Sequence, residues 1–153
     1  MLILYIEDEI YKAKDVMHFI ESYRNHKIIW KKSYINGLLE LEDNRFDLVI
    51  LDMSLPLYDS DFGQGELNEF DPLAGIHFLD EMKRVGYSEK VIIITAYDYI
   101  KKDETQIISL ANLKNEMQDE YPEKYVDGIF YSDDSLEWQE ILNMYLQEKG
   151  SSL

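Results

Sequence analysis

Four short, mostly apolar runs constrain this chain more than any other feature: LILYI (Leu2–Ile6), FDLVIL (Phe46–Leu51), VIIIT (Val91–Thr95) and GIFY (Gly128–Tyr131). None alternates polar with apolar residues, as a strand with one wet face would. Runs of four to six residues rich in Ile and Val suit strands buried on both faces of a parallel sheet. A weaker fifth run, KIIW (Lys27–Trp30), lies between the first two. Parallel strands need crossovers of a dozen or more residues, and the intervening segments have that length and helical spacing. Glu9–Asn25 carries Ile10, Ala13, Met17 and Ile20. Ser33–Asn44 carries Ile35, Leu38, Leu39 and Leu41 behind Ser33 as a candidate N-cap. Asp71-Pro72 opens a third helix, with Ile76, Leu79 and Met82 on one face. Asp98–Glu120 reads as a long polar helix with Ile107, Leu110, Ala111 and Met117. Asp133–Lys149 places Leu136, Ile141, Leu142, Tyr145 and Leu146 on one side. The pattern is strand-helix five times over: an α/β, doubly wound, flavodoxin-like fold with sheet order 2-1-3-4-5. One domain over residues 1–149 is expected, with stretches 57–73 and 98–127 longer than the pattern needs and a frayed tail at 150–153.

Composition narrows the function. At 153 residues and 46% hydrophobic, the chain is long enough for one sizeable core and too apolar for disorder. The formal net charge of −16 repels phosphate backbones, so no direct nucleic-acid partner is expected. There is no cysteine, which excludes disulfides, thiol nucleophiles and zinc–cysteine sites. His18, His26 and His77 lack metal-ligand spacing. No apolar stretch approaches the roughly 18 residues that span a bilayer, and the N-terminus lacks the basic flank of a signal peptide. The expectation is a cytoplasmic protein with no membrane partner.

Where the runs end matters more than where they begin. LVILDMSLP (Leu48–Pro56) passes from four apolar residues straight into Asp52, and the first run ends in Glu7-Asp8-Glu9. A desolvated carboxylate is costly unless it is paired or reaches water. In open sheets of this type, ligands sit outside the carboxyl ends of the strands, where strand order reverses. With the first and third strands adjacent, Glu7, Asp8 and Asp52 meet there. Like charges at that range repel unless a cation lies among them. An all-oxygen set with water access suits Mg²⁺. The Ser54 backbone carbonyl is a further candidate ligand, and Thr95, ending the fourth strand, brings a hydroxyl to the same edge. Each residue has a plainer use: Asp8 as a helix cap, Thr95 as a cap or strand residue, Asp52 as the opening of a turn before Pro56. Their combination at one edge argues for a site.

ILYIEDE (Ile3–Glu9), FDLVILDMSLP (Phe46–Pro56), GIHFLDEMKR (Gly75–Arg84) and VIIITAY (Val91–Tyr97) together resemble the receiver domain of two-component response regulators, over most of the chain. The resemblance implies that Asp52 is a phosphoryl acceptor, supplied by a sensor histidine kinase, a phosphotransfer protein or a small acyl phosphate. It implies that Glu7 and Asp8 hold Mg²⁺ with Asp52, and that Thr95 is the switch hydroxyl. The chemistry is sound on its own terms. A carboxylate can act as nucleophile, and most of the catalysis is positioning and charge neutralisation. The new dianion then draws a hydroxyl inward and biases a two-state loop.

The sequence departs from the family at the fifth strand. Receivers end that strand with Lys-Pro, and the ammonium pairs with the phosphoryl group. Here the chain reads GIFYSDDS (Gly128–Ser135), so the lysine position falls on Ser132 or on Tyr131, and Asp133-Asp134 come next. Lys101 or Lys102 could reach the site in compensation, although lysines there are usually solvated; Phe130, or Ile129 in the other register, is the candidate for the switch position, with a core aromatic as its plainer use. The 57–73 stretch holds five acids and two glycines but fails as an EF-hand, because no glycine stands sixth and Phe70 stands twelfth. It reads as a lid over Asp52, a partner-docking element or an acidic excursion. The leading expectation is a stand-alone receiver that signals to an unidentified downstream protein and catalyses at most its own phosphorylation and dephosphorylation. The alternative is a degenerate pseudo-receiver that binds partners independently of phosphorylation. An aspartate-nucleophile phosphatase wants a second carboxylate where Ser54 stands, and a flavin binder wants a phosphate-cradling loop where Glu7-Asp8-Glu9 stand.

Overall fold

The computed structural model describes residues 1–59 and 69–151. In chain order the elements are β1 (Leu2–Ile6), α1 (Ile10–Glu21), β2 (Lys27–Lys31), α2 (Tyr34–Asp43), β3 (Leu48–Leu51), β4 (Leu55–Pro56), β5 (Phe70–Asp71), α3 (Ala74–Val85), β6 (Lys90–Thr95), β7 (Tyr99–Lys101), β8 (Ile107–Ser109), α4 (Leu110–Glu120), β9 (Tyr125–Phe130) and α5 (Glu137–Ser151). The main sheet is parallel with order β2-β1-β3-β6-β9, the 2-1-3-4-5 order of the flavodoxin-like class. Two small antiparallel pairs, β4–β5 and β7–β8, stand outside it. Residues 60–68, the middle of the expected acidic excursion, lie outside the described residues.

The unbroken apolar runs reflect a core on each face of the sheet. Leu4, Ile6, Val49, Leu51, Val91 and Ile93 face the core shared with α2, α3 and α4. Their neighbours Ile3, Tyr5, Leu48, Ile50, Ile92 and Ile94 face the core shared with α1 and α5. Successive side chains point to opposite faces, so a strand covered on both sides must be apolar at every position.

The helices differ in places from the periodicity reading: Leu39 of α2 is exposed, and so is Leu136, which precedes α5. The buried face of α1 is Lys12, Ala13, Val16 and Ile20, whereas Ile10 is exposed. The helix α3 starts at Ala74, two residues beyond Pro72, and the Asp71 carboxylate accepts from the Leu73 N–H at 2.9 Å ahead of it. The long helix expected over Asp98–Glu120 is a β7–β8 hairpin leading into the shorter α4. Asp103 explains the break: its Oδ1 accepts from the N–H groups of Thr105 and Gln106, an Asx turn that competes with helix. Ile107 and Ile108 then favour strand. Helix begins only at Ser109, whose hydroxyl accepts from the Asn112 N–H at 3.1 Å. Ser33 caps α2 in the expected way, accepting from the Asn36 N–H at 3.3 Å.

Candidate functional site

The site is built where β1 and β3 end side by side. Ile6 pairs with Leu51, so the next residues along each strand, Glu7-Asp8 and Asp52, emerge together. Glu9 is the N-cap of α1 and accepts from the Tyr11 and Lys12 N–H groups. That leaves Asp8 free of the capping role it would otherwise serve. The Glu7 backbone is pinned to β2 on both sides: its N–H donates to the Lys31 carbonyl at 3.0 Å, and its carbonyl accepts from the Trp30 indole at 2.9 Å. Carboxylate oxygens of Glu7, Asp8 and Asp52 lie within 4.8 Å of one another.

Glu7 is fully buried and Asp52 is 7% exposed. One oxygen of Asp52 accepts from the Met53 N–H at 2.7 Å, which fixes the carboxylate. Burial pushes the Glu7 carboxyl up to about 7, against the lowering influence of the Lys12 ammonium. Asp8 is also raised, by burial first.

A lysine that apolar spacing does not single out completes the cluster. Lys12 comes off the first turn of α1 with its side chain 4% exposed. Its ammonium lies 2.6 Å from Glu7 Oε1 and 3.3 Å from Asp52 Oδ2, and it donates to the Ile94 carbonyl at 2.6 Å. It also stands 5.9 Å from the Tyr131 ring centroid. A spacing signal is nonetheless present: Lys12 lies four residues before Val16 and eight before Ile20, on the one buried face of α1. A lysine buried this deeply needs anionic partners, which the acids after β1 supply.

The two other expected residues line an adjacent cleft of about 300 Å³. Ser54 and Thr95 share it with Met53, Phe70, Pro72, Tyr97, Tyr99, Ile100 and Lys101. Thr95 is buried, and its hydroxyl accepts from the Tyr97 N–H at 3.2 Å. Lys101 and Lys102, the candidate substitutes, form no ion pair with Asp52 among the described residues. Lys102 pairs with Glu116 at 3.0 Å, and Lys101 is exposed on β7. Phe130 is 44% exposed, while Ile129 belongs to the core. After β9, Tyr131 packs against Trp138 and donates its hydroxyl to Asp15 at 2.7 Å, and Ser132 accepts from the Asp134 N–H.

The donor set fits a hard divalent cation. Three carboxylates against one ammonium leave two negative charges, and every candidate ligand atom is oxygen.

Comparison with known proteins gives the same architecture. No family model matches the sequence. A protein of Sinorhizobium fredii described only as uncharacterized, y4jR, is 29% identical over 140 residues, covering 91% of this chain and 92% of its own. Among solved structures, a CheY-like response regulator receiver domain protein of Methanospirillum hungatei superposes with a TM-score of 0.63 at 17% identity, covering 99% of this chain and 98% of its own. The response regulator TrrA of Thermotoga maritima, in complex with Mg(2+)-BeF, gives 0.60 at 17% identity over 94% and 96% of the two chains. The Mn(2+)-bound form of response regulator Rcp1 gives 0.59 at 16% identity over 92% and 87%. The chain has the fold of the response-regulator receiver domains.

Proposed function

We propose that the chain is a response-regulator receiver that accepts a phosphoryl group on Asp52 and signals through protein contacts. The observation that carries this reading is the nearly buried Asp52 carboxylate at the end of β3, beside Glu7, Asp8 and Lys12. A carboxylate held by the Met53 N–H is oriented for nucleophilic attack. Glu7, Asp8, Asp52 and the Ser54 carbonyl are the residues that would hold Mg²⁺, which when bound neutralises the charge of the incoming phosphoryl group. Two of the structural neighbours were solved with a divalent cation. Thr95, in the cleft beside Ser54, is the hydroxyl available to donate to the phosphoryl oxygens. The donors implied are a histidine kinase, a phosphotransfer protein or an acyl phosphate, and the recipient of the signal is a protein. Among the described residues no helix is long and apolar enough to cross a membrane.

The test is the intact mass of the protein after incubation with Mg²⁺ and acetyl phosphate. A labile gain of one phosphoryl group, absent in Asp52→Asn, is the expected result. No gain in the native protein, with no response of tryptophan fluorescence to Mg²⁺, would contradict the reading. It would leave the phosphorylation-independent interaction module in its place.

A further inference from the structure

The fifth strand lacks the cation that a phosphoryl site needs, and the chain continues from it into Tyr131, Ser132 and two aspartates. Among the described residues, Lys12 is the cation paired with Asp52. We propose that Lys12 supplies the missing charge: its ammonium pairs with the phosphoryl group carried by Asp52, so the cation arrives from α1 and not from the end of β9. This inference rests on the function proposed for Asp52 and names a further residue of the same site.

The placement supports it. The ammonium reaches the Ile94 carbonyl on β6, one residue before Thr95, and stands beside the Tyr131 ring. Tyr131 is one of the two positions on which the family's lysine would fall. A charge delivered there from either element occupies the same part of the sheet edge. The donor count also fits. An ammonium has three donors; Lys12 donates to the Ile94 carbonyl and is ion-paired with Glu7, each at 2.6 Å, while the contact to Asp52 is longer at 3.3 Å. The third donor can therefore move to a phosphoryl oxygen without breaking the first two. The Tyr5 hydroxyl and Glu7 Oε1 are both buried with no hydrogen-bond partner among the described residues.

The step balances without a proton. An Asp52 oxygen forms a bond to phosphorus as the bond from phosphorus to the acetate oxygen breaks. Acetate leaves with the electron pair, and Lys12 remains an ammonium throughout. Its partner changes from a carboxylate with one charge to an acyl phosphate dianion, so its attraction is stronger in the product and in the transition state leading to it.

The test uses the full chain with Mg²⁺ and acetyl phosphate, measuring phosphorylation rate and, separately, Mg²⁺ affinity by tryptophan fluorescence. Lys12→Gln keeps a donor for the Ile94 carbonyl and removes the charge. It should be phosphorylated on the order of 100-fold more slowly and bind Mg²⁺ at least as tightly, because a competing cation has gone. Lys12→Arg, and Lys12→Gln combined with Ser132→Lys, should each recover part of the rate. A native rate in Lys12→Gln would overturn the proposal, and so would a slow rate that neither charged variant relieves. Lost Mg²⁺ affinity in Lys12→Gln would also overturn it, by marking a merely structural role. If the native chain takes no phosphoryl group and shows no response to Mg²⁺, the Asp52 reading fails first, and that is seen before any variant is made. One measurement needs no variant: in a Mg²⁺–beryllofluoride complex of the native chain, Lys12 Nζ within hydrogen-bond distance of fluoride supports the proposal. A Lys12 that makes no fluoride contact overturns it.

Discussion

Two connections frame the same edge of the sheet. The one from β1 to α1 packs Glu7, Asp8, Glu9 and Lys12 into a few residues, two of them buried charges that contact each other. The one from β9 to α5 carries Tyr131, Ser132 and two exposed aspartates, and its contacts are packing and turn hydrogen bonds. The first has taken on both signs of charge; the second has become structural. On the function proposed for Asp52, the difference teaches that a phosphoryl site fixes where charge must be, but not which strand or helix supplies it. Lys12 is long enough to bring its ammonium from α1 to the Ile94 carbonyl on β6; on that reading the fifth strand need not supply the charge.

The comparison can be broken most forcefully at Trp138. It is 1% exposed and packs edge-on against Phe19 and at a tilt against Tyr131. If the second connection is structural, Trp138→Ala should cost about 3–5 kcal/mol in chemical denaturation. The fraction that stays folded should still be phosphorylated. A loss of phosphorylation in well-folded protein would place chemistry where only packing is claimed.

The next effect is a pH dependence centred on the first connection. Folded Glu7 holds its proton up to about 7, against an ordinary value of 4.5. Between those values the folded chain binds a proton that the unfolded chain has released, so raising pH removes stability across that window and no more above it. Denaturation of the metal-free protein in EDTA should therefore show stability falling from pH 4.5 towards 7, and Glu7→Gln should flatten the profile. A rise with pH that Glu7→Gln leaves untouched would mean that the buried acid is paired better than its burial implies.

The smallest effect belongs to Tyr131. Its hydroxyl donates to Asp15 at 2.7 Å in a partly buried setting. Tyr131→Phe should cost about 1 kcal/mol of stability and leave the phosphorylation rate near the native value. A large change in rate with little change in stability would mean that this residue reaches the chemistry.

The sheet and the carboxylates were legible in the sequence for one physical reason. Strands buried on both faces need unbroken apolar runs, and those runs can stop at an acid only where the edge is functional or capped. Glu7, Asp8 and Asp52 stand together as that logic requires. Lys12 was not legible, because Ile10, Ala13, Met17 and Ile20 offered a plausible apolar face that left Lys12 to solvent. The true face leaves Ile10 exposed and takes in Lys12 and Val16, with Met17 packed at its edge. Hydrophobicity cannot reveal that exchange, whereas the charge demand of three clustered carboxylates can. The β7–β8 hairpin was missed for another reason: Asp103 and its turn decide the backbone locally, and the apolar spacing of Ile107, Leu110 and Met117 hides it.

The central claim is that Asp52, and not one of the acids beside it, takes the phosphoryl group. The most direct measurement is to treat the protein with Mg²⁺ and acetyl phosphate, trap the acyl phosphate with borohydride, and locate the reduced residue by tandem mass spectrometry. Reduction at Asp52 alone is the predicted result. Reduction at Glu7 or Asp8 in place of Asp52 would contradict the account.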